Sequence, residues 1–492
     1  MHDGAILSRS VASAHPLPLV PRPGPGRAAG DFVRRLGLVA SAFSVVQIDI
    51  NAVTRRGKDG EDAEVTLCDH NCTQSVRGRP TGGHYTCPAS LSLNPGVGSR
   101  DVAPAELLVQ GLLTTADGIR AAQQDFLRDD LPAYFREESV PGHLRPEFEA
   151  ALRSRHISVN LFGGSPELHP GCVEIIEGLR DAGMETHLTT TGRRIVRDPE
   201  FRARLLRMPP DVLAVSADDF GSPDELDEWF ALDPDALARL WRSVPAAHGQ
   251  RRKAVEAVQI CKLAEREPLP PLLFNIVLHP DNLAFAAQLL DRIGAHVPGA
   301  ILNPYPVQSA FLGEQGALGE EDLARLRDVV EVALDCHVTR HLGGVPRWNL
   351  APRLPYWLLL LSLLDMDADT AEVADRVGGA GVWTCYSRRG SGRCVQIGWG
   401  RPAPGKRHAG GHPGCFWNAG TVTHPRQFWD LGASEMAEWI LDGRGRLARD
   451  AERPCAGCLF PRMSLDGVSL ELGLDRQVTD AYRTVRKHYL GY

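Results

Sequence analysis

Six short runs of β-branched and apolar residues recur through the first two thirds of the chain, at positions 44–50, 157–162, 186–190, 212–216, 272–278 and 300–303. Amphipathic segments of helical period follow several of them, at 171–182, 282–293 and 320–334. Strands that alternate with helices build βαβ units, so the pattern predicts an α/β fold with a parallel sheet or barrel. Six strands suit either a doubly wound sheet or an incomplete barrel. In both, the ligand crevice lies at the carboxyl ends of the strands. The stretch 233–268 reads as a helical insertion between the fourth and fifth strands, and no internal repeat is found.

A chain of 492 residues corresponds to about two to four domains. Hydrophobic residues at 43% and charged residues at 23% are ordinary for a globular protein, which excludes wholesale disorder, collagen and coiled coil. The net charge of −7, from 54 Lys plus Arg against 61 Asp plus Glu, leaves no electrostatic footprint for nucleic acid. No run reaches the roughly 18 apolar residues that span a bilayer. The nearest, 354–366, is interrupted by Pro355, Ser362 and Asp365 and reads as a buried helix. The first 30 residues are rich in Pro, Gly, Ala and Arg without a continuous apolar stretch, and are expected to be a flexible tail rather than a signal peptide. Eleven cysteines without a secretory signal point to reduced thiols in a cytoplasmic protein, kept for metal or catalysis.

Those cysteines are unevenly placed. Cys172, Cys261 and Cys336 stand alone and read as small buried hydrophobes. Cys68, Cys72 and Cys87 gather near the front, and Cys385, Cys394, Cys415, Cys455 and Cys458 lie in the last quarter. The front group runs Cys68-Asp-His-Asn-Cys72, then fourteen residues, then Cys87-Pro88. Three thiolates can hold a four-iron, four-sulfur cube and leave one iron open to chelate a small molecule through amine and carboxylate groups. Catalytic zinc also takes three protein ligands, and His70 or His84 could complete its tetrahedron. On spacing alone, iron–sulfur, zinc and no metal all stay open.

Three strand ends carry further signals. Asn160-Leu-Phe-Gly-Gly-Ser-Pro-Glu-Leu-His-Pro170 closes the second strand, His187-Leu-Thr-Thr-Thr-Gly192 the third, and Ala214-Val-Ser-Ala-Asp-Asp219 the fourth. Together with the front cysteines, and in the same order, these segments resemble the radical S-adenosylmethionine (radical SAM) superfamily over residues 40 to 310. The resemblance implies a partial (β/α)6 TIM-type barrel. It also implies that Cys68, Cys72 and Cys87 ligate a [4Fe-4S] cluster whose open iron binds S-adenosylmethionine (SAM). Gly163, Gly164 and Ser165 are expected against the methionyl end of SAM, and Ser216 at the ribose hydroxyls; Asn275, Asn303 and Tyr305 fall at later strands and would line the adenine or substrate side. Two features depart from the family. Its third cysteine usually follows the second after two residues, not fourteen. Closing a loop about seven times longer costs about 1.7 kcal/mol in the ideal-chain estimate, against on the order of 10 kcal/mol from metal–thiolate binding. The acid of the family's GGE motif is also replaced by Ser165, with Glu167 the nearest carboxylate in sequence.

After Gly378 the chain is rich in Gly, Arg, Pro and aromatic residues. Cys394, a glycine-rich run to His412-Pro-Gly-Cys415, and a late Cys455-Ala-Gly-Cys458 resemble the SPASM/twitch-type module that follows some radical SAM cores. The resemblance implies a second, auxiliary [4Fe-4S] cluster, with Cys385 a rival for Cys394; zinc or purely structural cysteines are the other readings. The expected organisation is a tail over 1–40, a core over 41–312, a helical connector over 313–378 and a small cysteine-rich domain over 379–492. The implied enzyme cleaves SAM reductively and abstracts hydrogen from a small biosynthetic substrate, fed by an external one-electron donor such as flavodoxin or ferredoxin. About forty residues before the first strand are too few for the winged-helix peptide-binding domain of many peptide-modifying relatives, hence the small-molecule expectation. Neither nucleic acid nor membrane is an expected partner. Peptide modification and sulfur insertion are the alternatives within the enzyme class, and a non-catalytic iron–sulfur or zinc scaffold or electron carrier is the alternative outside it.

Overall fold

The computed structural model describes residues 46–49, 104–125, 128, 158–162, 166–217, 220–245, 249–306, 318–341, 343–351, 357, 360, 361, 364, 395–398, 412, 413 and 431–435. Its strands are β1 (Val46–Asp49), β2 (Ser158–Phe162), β3 (Glu185–Thr190), β4 (Val212–Ser216), β5 (Leu272–Leu278), β6 (Ile301–Pro306), β7 (Val395–Gly398) and β8 (His412–Pro413). Among the described residues one helix, α1 (Ala105–Asp125), lies between β1 and β2, and α2 (Cys172–Asp181) between β2 and β3. Then α3 (Arg193–Arg197) and α4 (Pro199–Arg207) precede β4, and α5 (Pro223–Ala231), α6 (Pro234–Ser243) and α7 (Gly249–Ala264) precede β5. Finally α8 (Pro280–Leu283) and α9 (Ala286–His296) precede β6, and α10 (Glu320–His341) follows it. Laterally the strands run β6-β5-β4-β3-β2-β1-β7-β8, with β1 to β6 all parallel, β7 parallel to β1, and β8 antiparallel to β7. From β1 to β6 each strand is added on the same side of its predecessor. A doubly wound sheet reverses direction within its βα units; β1 to β6 never do, and only the later β7 and β8 lie on the far side of β1, so the six βα units have the singly wound order of a partial (β/α)6 barrel.

The two faces of the sheet differ in chemistry. Val159, Leu161, Leu188, Leu213, Val215, Phe274, Ile276 and Leu302 are buried in one core with helix residues such as Ile176, Leu179, Val258 and Leu290. Each such side chain is worth about 1.5–3 kcal/mol of burial. The alternate positions of β3 and β6 are only half-buried and define the other, open face. Three helices start by one local device: Asp198, Ser222 and Asp233 accept a hydrogen bond from the backbone N–H three residues on, and each is followed by proline. Such a cap satisfies one orphan N–H, and proline at the first helical position loses no bond.

Two expectations need correction. The 233–268 stretch is helical, but it is not merely an insertion: α7 buries Ala254, Val255, Ala257, Val258, Ile260 and Cys261 in the core and is part of the β4–β5 crossover itself. The sixth strand does not stop at Asn303 but continues through Pro304-Tyr305-Pro306. Proline cannot donate to a ladder, so it reads as a stop; an outer strand tolerates it. Beyond β6 only a single bridge, Leu302 to Leu350, is formed among the described residues. The isolated cysteines 172, 261 and 336 are buried free thiols as expected. Trp357, Leu360 and Leu361, from the apolar 354–366 run, are buried helical residues. No helix among the described residues is long and apolar enough to cross a membrane.

Candidate active site

Parallel register converts strand position into a row of side chains. Ser216 on β4 pairs in register with Asn275 on β5, which pairs with Asn303 on β6. All three are half-buried, on the face turned away from the helix-packed core, and Tyr305 lies two residues further along the same face. Asn303 Nδ2 donates to Asn275 Oδ1 at 2.6 Å. With the amides so oriented, Asn275 keeps its N–H donors and Asn303 its carbonyl for a ligand. Nearer β2, Thr189 Oγ1 donates to Asn160 Oδ1 at 2.8 Å. The row from β4 to β6 is neutral and rich in paired donors and acceptors, which suits hydroxyl, amide and ring-nitrogen groups better than bare charges. Ser216, Asn275, Asn303 and Tyr305 thus share one face of three neighbouring strands.

The carboxyl end of β3 is fixed by a network that sequence reasoning did not assemble. Glu167 sits in a 3₁₀ turn (Pro166–Leu168) and is fully buried; its Oε1 accepts from Thr191 Oγ1 at 3.2 Å. Arg194 Nη1 donates to the Glu167 carbonyl at 2.9 Å, and Thr190 Oγ1 accepts from the Gly192 N–H at 2.8 Å. Glu167 therefore ties the β2 loop to the β3 turn. Its charge also reaches Cys172, whose thiol is pushed far up, first by burial and then by Glu167. Both causes disfavour the thiolate, the nucleophilic form of a cysteine. Gly192 is the hinge of the turn: its φ is +86°, and a Cβ there would lie 2.4 Å from Ile260 Cγ1 on α7.

The remaining predicted site residues, Cys68, Cys72, Cys87, Gly163, Gly164, Ser165, Cys385, Cys394, Cys415, Cys455 and Cys458, lie outside the described residues. What is described is the sheet from which their segments depart. Asp49, the last residue of β1, is in register with Phe162, the last of β2. In sequence the CDHNC segment follows β1, and Gly163-Gly-Ser165 follows Phe162 directly. Val395 of β7 is in register with Pro413 of β8; Cys394 precedes the one and Cys415 follows the other by two residues. Among the described residues no group of His, Cys, Asp or Glu is arranged to hold a metal.

The class this geometry defines is a partial (β/α)6 barrel with a polar row, Ser216-Asn275-Asn303, running across β4, β5 and β6 on the face away from the helix-packed core. No protein-family model matches the sequence. No curated protein matches it either. Among solved structures, that of Streptococcus suis SuiB bound to S-adenosylmethionine is similar at 11% identity and a TM-score of 0.44, covering 85% of this chain and 72% of SuiB. The native anSMEcpe structure with bound AdoMet is similar at 13% identity and a TM-score of 0.42, covering 89% of this chain and 99% of that one. TYW1 with a lysine–pyruvate adduct is similar over 50% of this chain at 15% identity, with a TM-score of 0.27.

Proposed function

We propose that the protein is a radical SAM enzyme. One observation carries the reading. In a singly wound barrel, β1 and β2 end side by side at Asp49 and Phe162, and the two segments that follow them in sequence are the cysteine motif and the Gly-Gly-Ser motif. In this reading Cys68, Cys72 and Cys87 hold a [4Fe-4S] cluster, and Gly163, Gly164 and Ser165 take the methionyl end of SAM. Ser216 accepts or donates at the ribose hydroxyls, and the neutral row fits a nucleoside, which needs hydrogen bonds rather than a counter-charge. Asn275, Asn303 and Tyr305 orient the substrate or adenine. When bound, the open cluster supplies the electron that cleaves SAM to a 5′-deoxyadenosyl radical for hydrogen abstraction, and a closed auxiliary cluster supplies an acceptor for the substrate's electron. Cys394, Cys415, Cys455 and Cys458 are the ligands proposed for that second cluster, supported by the in-register neighbours Val395 and Pro413. Four thiolates can close all four irons, which favours electron acceptance over sulfur insertion.

The sequence leaned toward a small-molecule substrate; the comparisons lend that lean no support. Two of the similar structures hold peptides, SuiB its precursor peptide SuiA and anSMEcpe the Cp18Cys peptide, so peptide modification is tested beside it. A one-electron donor protein completes the scheme. Anaerobic reconstitution followed by an assay for 5′-deoxyadenosine under chemical reductant is the deciding experiment. Absence of that product from a fully loaded protein refutes the enzyme reading and leaves an iron–sulfur or zinc scaffold. Mass spectrometry of small-molecule and peptide incubations then assigns the substrate class.

A further inference from the structure

On the flank of the barrel, α3, α6 and α7 assemble a feature that the proposed chemistry does not use. Trp241 of α6 is almost buried, and its indole Nε1 donates to Oε1 of the fully buried Glu256 at 2.8 Å. Three guanidinium carbons lie over this one ring, at 3.6 Å for Arg197, 4.6 Å for Arg252 and 5.0 Å for Arg193. Arg242, beside Trp241 in sequence, adds a fourth guanidinium, and both Arg197 and Arg242 are exposed. The neighbouring carboxylates are engaged elsewhere. Asp198 pairs with Arg194 and caps α4, Glu225 pairs with Arg251, and Asp233 caps α6. Arg197, Arg242 and Arg252 form no ion pair among the described residues. Burial first, then the charges of Arg193, Arg252 and Arg242, draw Arg197 below its ordinary value, with Glu256 opposing. Arg242 and Arg252 each donate from Nε to a backbone carbonyl, of Ala238 and Val244, and these like charges stand together on one ring in a protein of net charge −7.

We propose that this Trp241-centred arginine platform is a docking surface for an acidic protein. Ring-held guanidinium groups present a planar, pre-organised fork that matches carboxylates. Trp and Arg are also the residues that most often dominate protein interfaces. An exposed ion pair alone is worth about 0–1 kcal/mol. Useful affinity therefore needs several carboxylates presented together.

The test uses the full chain and a fluorescein-labelled oligo-glutamate peptide, read by anisotropy over a range of salt. The wild type is expected to bind it, with affinity falling as salt rises. The R197E/R242E variant should bind about tenfold or more weakly. R242E alone, at an exposed position, should show part of that loss even if the double variant folds poorly. R120E/R325E changes the net charge equally on α1 and α10 and should bind within about twofold of wild type. Equal loss in that control, or a wild type that binds no peptide, overturns the proposal. So does displacement of the peptide by inorganic phosphate, or by single-stranded DNA, at comparable concentrations of charge.

Discussion

Replacing Gly192 by Ala isolates the mechanical role of the Thr-Thr-Thr-Gly turn from any role in binding. Two penalties add at this position. The left-handed backbone at φ +86° costs an L-residue roughly 1–2 kcal/mol. The new Cβ would meet Ile260 Cγ1 at 2.4 Å and Cδ1 at 2.8 Å, an overpacking of roughly 1–3 kcal/mol. Gly183 provides the control: its φ is +74°, but a Cβ there meets nothing within 4 Å, so G183A should lose only the backbone part of roughly 1–2 kcal/mol. G192A should therefore lose roughly 2–5 kcal/mol in all. Hydrogen exchange resolved to peptides covering β3 and α3 is the assay, since a chain this long need not unfold in two states. Protection there should fall by roughly one and a half to three and a half decades in G192A, at about 1.4 kcal/mol per decade. Trimming the obstacle in G192A/I260A should recover part of the loss relative to I260A alone. The reasoning fails if G192A and G183A lose the same protection, because the contact with α7 would then carry no energy.

Asp211 stitches β4 to β3 and α2 through the Thr186 N–H at 2.8 Å and Arg180 Nη1 at 2.7 Å. Partial burial alone would raise its carboxyl, but these partners outweigh it and hold it below the usual carboxylate range. A depressed folded-state value means stability that is complete above the unfolded value, near pH 4, and lost as pH falls through the folded one. D211N should cost about 1 kcal/mol at neutral pH and flatten the acid limb of the melting-temperature profile; an unchanged acid limb would rule Asp211 out as its source. C87A should abolish 5′-deoxyadenosine formation and lower iron content, and wild-type values for both would show that another cysteine completes the first cluster. N303A removes the donor to Asn275 and should lower kcat/KM for product by about tenfold. It should leave uncoupled 5′-deoxyadenosine formation near wild type, and an equal fall in both would move Asn303 from the substrate to the SAM side. C455A/C458A should keep SAM cleavage and lose the oxidised product, whereas a sulfur-containing wild-type product limited to one turnover would overturn electron acceptance.

What was legible in the sequence is what local periodicity determines. The runs at 212–216 and 272–278 became β4 and β5 without change, because both are dense in β-branched and apolar residues packed against helices. Helix α1 escaped notice because Gly111, Thr114, Thr115 and Gly118 dilute its helical signal. At least one of those small residues is there for a distant partner: a Cβ on Gly118 would lie 2.4 Å from the carbonyl oxygen of Ala433, more than three hundred positions away in the chain. The burial of Glu167 was illegible for a similar reason. Its direction depends on Thr191 and Arg194 arriving from the next loop. The arginine platform draws on three helices, and only the fold brings them together.

The polar row lies between these extremes, and its register gives it functional weight. Each of Ser216, Asn275 and Asn303 could be read singly as a strand-end cap or turn residue. Side chains alternate with period 2, so a one-residue slip between neighbouring strands would turn one of the three to the other face. The observed pairing keeps them level across β4, β5 and β6. A barrel interior that only had to be filled would carry Val, Ile or Leu at these positions, as packed barrel layers do. Leu273 and Ile301, two positions earlier on the same strands and face, meet that requirement. The side chains on this face change from apolar to amide within one alternation, at the same level on two adjacent strands, which is where the proposed site begins.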